Sequence, residues 1–146
     1  MRLRQSPSPN HDARPAGAPV DILLLHYTDM RSCEEAVERL RDPTARVSAH
    51  YCVGKDGTVH ALVPEERRAW HAGLSYWAGA RDINGRSIGI ELDNPGHQFG
   101  YQPFPDAQME ALAAFQRHFH PCRISGEADG GTRRMLSALI AQLPFL

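Results

Sequence analysis

The stretch Leu23-Leu24-Leu25-His26-Tyr27-Thr28 decides how this chain folds. Apolar residues that run together instead of alternating mark a strand buried on both faces, here Asp21 to Tyr27. The strand ends by delivering His26, at the place where α/β and α+β enzymes hold metal ligands and catalytic groups. A histidine after an apolar run is, by itself, more often packed core. Three later segments change the weighing: Ser48-Ala49-His50-Tyr51, Ala69-Trp70-His71-Ala72-Gly73 and Ser87-Ile88-Gly89-Ile90-Glu91.

Around that strand the punctuation is clear. Ser32 can cap a helix to Arg41, with Glu35 placed for the reciprocal capping box, and Asp42-Pro43 stops it. Val47–Val53 and Thr58–Val63 flank Gly54-Lys55-Asp56-Gly57, whose Asp-Gly suits a hairpin turn. Arg86 to Leu92 is a second buried strand, with Ile88 and Ile90 facing one way and Glu91 the other. A long loop between hairpin and strand carries Trp70, His71, Gly73, Trp77 and Asn84, and long loops in compact domains are usually functional or disordered. Pro105–Phe119 has a helical apolar stripe, and a last helix is expected from the N-cap Thr132 to about Leu143.

The 146 residues suit one domain. A formal net charge of −1 argues against a nucleic-acid or anionic-membrane binder, both of which need a basic face. No apolar run approaches the roughly 18 residues of a membrane span. Residues 1–19 hold five prolines or glycines among polar residues and no apolar period, so a disordered lead without a secretory core is expected. Three widely spaced cysteines, Cys33, Cys52 and Cys122, form no CxxC pair and read as free thiols of a reducing compartment. Cytoplasmic localisation is the default.

In order and spacing, the four segments resemble the zinc-dependent N-acetylmuramoyl-L-alanine amidases, which include phage lysozyme-type amidases and peptidoglycan recognition proteins. The resemblance covers about Asp21 to Gln108. It implies an α/β fold: a mixed sheet flanked by helices, with a short helical C-terminal tail. It also implies Zn as cofactor, His26 as a metal ligand and Glu91 as the catalytic glutamate beside the activated water. Tyr51 would stand near the metal, and Trp70, His71 and Asn84 in the substrate-binding wall of the cleft. For Tyr51 a core ring, and for His71 and Asn84 a loop-structuring role, are equally open. The partner implied is peptidoglycan or a muropeptide, taken by a monomer, in the cytoplasm or in the periplasm and wall.

The chain departs from that pattern after the Pro105 helix. The family's His-Ser-Asp-type segment and its later aspartate before Pro-Gly, the other zinc ligands, are absent; His118, His120 and Asp129 are weak substitutes. The run from Ala113 through Ile124-Ser125-Gly126-Glu127-Ala128-Asp129 to Thr132 looks like part of a helical peptidoglycan-binding module. The expected organisation is therefore a lead (1–19), an incomplete amidase-like unit (20–112) and a partial module (113–146). Hydrolysis of the bond between N-acetylmuramic acid and L-alanine is the first expectation, and binding of wall fragments by a metal-deficient relative, or a truncated product, the second.

Overall fold

The computed structural model of the chain describes residues 2–77 and 79–119. Among these described residues nine strands and four helices follow in order. They are β1 (Arg2–Gln5), β2 (His11–Ala13), β3 (Ile22–Tyr27), α1 (Cys33–Arg41), β4 (Tyr51–Val53), β5 (Thr58–Ala61) and β6 (Arg67–Ala69). After them come β7 (Tyr76–Trp77), β8 (Ala80–Arg81), α2 (Ile83–Arg86), β9 (Ser87–Leu92), α3 (Gly96–Phe99) and α4 (Asp106–Phe119).

A mixed sheet of order β1-β5-β4-β9-β3 forms the centre. β9 runs parallel to both β3 and β4, β4 and β5 are antiparallel, and β1 is parallel to β5. Because β3 and β9 are covered on both faces, their sequences are apolar at consecutive positions. Leu23, Leu25, Val53, Val59, Ile88, Ile90 and Leu92 pack on one face against Ala111, Leu112 and Phe115 of α4. On the other face Cys52 packs with Cys33, Ala36, Val37 and Leu40 of α1, and Leu24 packs with Ala72 and Ile83. The result is the expected sheet between helices.

Local chemistry sets the element ends. Ser32 Oγ accepts the Glu35 N–H at 3.2 Å, as a helix N-cap should. The Glu35 carboxylate reaches back one residue further than the reciprocal box requires, to the N–H of Arg31. In the hairpin turn Gly57 takes φ +76°, and Asp56 accepts from both the N–H and the hydroxyl of Thr58. Cys33 and Cys52 are free thiols, as expected.

Two expectations need correcting. The lead is ordered: β1 extends the sheet edge and β2 pairs with β6. Its polar residues find buried backbone partners instead of an apolar core. Ser8 Oγ donates to Leu40 O at 2.6 Å, and Asn10 Nδ2 donates to Asp42 O and Val47 O at 2.8 and 2.9 Å. An ordering mechanism built from hydrogen bonds leaves no apolar period to read. The long loop expected between the hairpin and the Arg86–Leu92 strand is likewise not bare, since β6, the β7-β8 ribbon and α2 lie within it.

The boundary expected at residue 112 falls inside α4, whose Leu112 and Phe115 share one core. The expected helix from Thr132, like the rest of the module-like tail from residue 120, lies outside the described residues. Among the described residues no helix is long and apolar enough to cross a membrane.

Candidate active site

Three parallel strands end together, and the site lies at their carboxyl ends, where open α/β sheets place ligands. His26 on β3 and Glu91 on β9 are Cα register partners, and Cys52 on β4 is the next partner along. Register partners in a sheet share a face, so His26 and Glu91 stand side by side above the strands, on the face that α1 covers. Glu91 Oε2 is buried with no hydrogen-bond partner among the described residues. Burial raises this carboxyl to about 8, because the charged form loses its water and gains nothing in return. A carboxyl so placed is suited to exchanging protons near neutral pH.

Next to this pair three histidines stack in sequence. The ring centroids of His26 and His71 are 5.2 Å apart, and those of His50 and His71 5.7 Å, both edge-on. His26 Nε2 lies 3.0 Å from His71 Nδ1, and His71 Nε2 lies 3.1 Å from Ser87 Oγ. His50 Nδ1 accepts the Gly89 N–H at 2.9 Å, and its Nε2 lies 2.9 Å from Arg14 Nη2 and 3.1 Å from Arg67 O. Burial drives His26 and His50 down to about 4 and His71 well below its ordinary value. All three are therefore neutral at pH 7.

Gly89 makes the stack possible. A Cβ there would lie 2.4 Å from His71 Cγ, so only glycine lets the ring rest on the strand. The rest of the support was not readable in advance. Arg14, from the lead, donates Nε–H to Glu65 O and its terminal N–H groups to the carbonyls of Asn84, Gly85 and Ser87, at 2.8 to 3.1 Å. No motif flags Arg14. The isolated glycine between Ile88 and Ile90 did carry a signal, because a strand glycine marks close approach by another group.

The predicted residues separate on this frame. Glu91, Trp70 and His71 line one cleft of about 190 Å³ with Thr28, Met30 and Leu40. Trp70 is held there through its backbone, its N–H donating to Ser48 Oγ at 2.8 Å. Tyr51 is not brought to His26. It is the register partner of Ile90, on the opposite face, with its ring 4.7 Å from Phe115 and its hydroxyl donating to Glu65 Oε1. The physical reason is the two-residue period of the strand: if Cys52 faces the site, Tyr51 cannot. Asn84 is buried, and its Oδ1 accepts the N–H groups of His71 and Ala72 at 3.0 and 2.8 Å. It shapes the cleft wall from behind. A larger cavity of about 610 Å³, between α4 and the hairpin turn, is lined by none of these residues.

The described residues do not make a whole zinc site. Among them no three His, Cys, Asp or Glu side chains converge as metal ligands. His26 offers one nitrogen, whereas His50 and His71 have both ring nitrogens engaged. His118 is exposed near the end of α4, and His120 and Asp129 lie outside the described residues.

Residues 16–121 match the N-acetylmuramoyl-L-alanine amidase family. The chain is 35% identical over 134 residues to the N-acetylmuramoyl-L-alanine amidase AmiD of Escherichia coli (strain K12), covering 79% of this chain and 47% of that protein. It is 34% identical over 136 residues to the 1,6-anhydro-N-acetylmuramyl-L-alanine amidase AmpD of the same organism, covering 82% and 72%. It thus spans about half of the AmiD length. A crystal structure of an AmpD derivative superposes with a TM-score of 0.67 at 28% identity, covering 95% of this chain and 94% of that one. AmiD from Escherichia coli, in complex with the substrate anhydro-N-acetylmuramic acid-L-Ala-D-gamma-Glu-L-Lys, gives 0.61 at 35% identity, over 70% and 44%. A family match over most of the sequence and a superposition over most of the chain agree: this chain belongs to the N-acetylmuramoyl-L-alanine amidase family.

Proposed function

We propose that this chain hydrolyses the amide bond between N-acetylmuramic acid and L-alanine in muropeptides, the substrate class of its AmiD and AmpD relatives. The observation that carries the reading is Glu91: a buried carboxyl with an unpartnered oxygen, beside His26, in a cleft walled by Trp70 and His71.

Amide hydrolysis needs one proton removed from water and one delivered to the departing amine. Ionised Glu91 takes the proton of the attacking water. Protonated Glu91 then returns it to the L-alanine nitrogen as the carbon–nitrogen bond breaks, so the enzyme ends as it began. Trp70 supplies an apolar wall that excludes bulk water from the reacting amide. Zinc, the family's cofactor, would supply polarisation of the carbonyl and activation of the water; His26 is the one residue among those described that would hold it.

The test is direct. Purified protein supplemented with zinc is incubated with anhydro-N-acetylmuramyl tripeptide, and free peptide with an L-alanine amino terminus is followed by liquid chromatography and mass spectrometry. Release that disappears in Glu91→Gln is the expected result. Release no greater than that variant's would overturn the reading. Zinc content by elemental mass spectrometry, in wild type and His26→Ala, tests the cofactor separately.

A further inference from the structure

A single backbone carbonyl sets the direction of a line of hydrogen bonds that ends at His26. Ser87 has one hydroxyl proton, and its oxygen lies 2.7 Å from Ile83 O, which can only accept. That proton is therefore committed. Toward His71 Nε2, 3.1 Å away, Ser87 Oγ can then act only as acceptor, which places the His71 proton on Nε2 and leaves Nδ1 a bare lone pair. His26 Nε2, 3.0 Å from that lone pair, must be the donor. A neutral imidazole carries one N–H, so the Nδ1 of His26 is bare. It has no hydrogen-bond partner among the described residues.

The stack is held too firmly to reverse by ring rotation. Asn84 grips the backbone N–H of His71, and the ring rests on Gly89 with no room for even a methyl group. Ser87 is fully buried.

We propose that His71 is a positioning residue: directed by Ser87 and seated on Gly89, it holds His26 in the Nε2–H tautomer and reserves Nδ1 as the nitrogen that meets the ligand. His71 then acts through His26 in addition to lining the cleft. Its functional consequence rests on His26 being the metal-holding residue of the proposed amidase; its geometry does not. Partners of this kind are worth about 10–100-fold in metal affinity, because they fix both the ring orientation and the tautomer.

The experiment is long-range proton–nitrogen correlation NMR on metal-free protein labelled with ¹⁵N-histidine, at pH 7.5. Wild type should show His26 and His71 both protonated on Nε2. In His71→Phe the acceptor is gone, and His26 should become a mixture of tautomers. His71→Asn puts a carboxamide oxygen near the lost Nδ1 and should restore the wild-type pattern. Ser87→Ala, which leaves both rings in place, should mix the tautomers of His71 and His26 together. Zinc affinity, by chelator competition, should fall about 10–100-fold in His71→Phe and recover in His71→Asn. Circular dichroism separates these outcomes from unfolding. A wild-type His26 protonated on Nδ1, or a His26 tautomer unaltered in folded Ser87→Ala and His71→Phe, would overturn the proposal. Neither result depends on hydrolysis, so the proposed function could stand with this inference lost, or fail with it intact.

Discussion

Glu91 and His26 are register partners on adjacent parallel strands, side by side on one face of the sheet, yet no hydrogen bond joins them. The carboxyl is left to carry its own desolvation. Its protonation therefore becomes a reporter of the site and of any charge that enters it.

In metal-free protein Glu91 should titrate near pH 8, read by carboxyl ¹³C chemical shift. The sign for stability follows. A carboxyl raised in the folded state costs nothing below its unfolded value near 4.5, where both states are protonated. The penalty grows as pH rises to about 8 and is then complete. Chelated wild type should accordingly lose stability across that window, on the order of a few kcal/mol at most, whereas Glu91→Gln should lose none of it. Adding zinc should shift the titration downward, because a nearby cation favours the carboxylate. A titration near the ordinary glutamate value in chelated protein would contradict the burial argument.

The histidines act in the opposite direction. Those of the stack are depressed, so their neutral forms are favoured by folding. Such groups contribute stability that is complete above the unfolded value near 6.5 and is lost as pH falls toward 4. Thermal midpoints between pH 7 and pH 5 should drop steeply in wild type. The drop should be shallower in His71→Asn, which cannot take up the proton that His71 must accept in the unfolded chain. An equal slope in the two proteins would show that His71 is not buried as a neutral ring.

Gly89→Ala tests the close approach alone. The added carbon would meet three His71 ring atoms at 2.4 to 2.6 Å, so the ring must leave its seat. Overpacking of this kind costs about 1–3 kcal/mol. The expected signature is a modest loss in urea midpoint with a large loss of zinc affinity and hydrolysis. Ala at position 73 makes the control: Gly73 has φ +56° but nothing within 4 Å of its Cβ position, so strain appears there without damage to the stack.

What could be read in the sequence, and what could not, follows from range. His26 and Glu91 sit at the ends of continuous apolar runs, and a buried strand with a lone polar residue at its end is legible locally. Capping at Ser32 and the Asp56-Gly57 turn are also local, and the structure has both. For Tyr51 two readings were open, and its ring lies with Phe115, since strand parity separates it from the face of Cys52 and Glu91. Asn84 was open to a loop-structuring role, and its bonds to the N–H groups of His71 and Ala72 are of that kind, although its neighbours do not encode which groups it meets. Order in the lead was hidden entirely, since its partners lie 30 or more residues away, as with Asn10 and Leu40.

Arg14 is the sharpest case of that hidden order, and it carries the last prediction. Its guanidinium ties Glu65, Asn84, Gly85 and Ser87 together through their carbonyls. A planar fork with five donors can do this, whereas a lysine ammonium cannot reach the same four acceptors. Arg14→Lys should therefore cost about 3 kcal/mol, since hydrogen bonds to a charged donor are the stronger kind and partly buried carbonyls would lose their partners. The loss should also reach the site. With the Ser87 carbonyl freed, amide exchange at Gly89 and His50 should accelerate, and the tautomers of His71 and His26 should begin to mix. Removing residues 1–13 while keeping Arg14 should instead spare the tautomers and expose the edge of β5, seen as self-association in sedimentation. If Arg14→Lys melts like wild type, the lead decorates the fold; if it fails as expected, a segment that reads as disordered is part of the active-site scaffold.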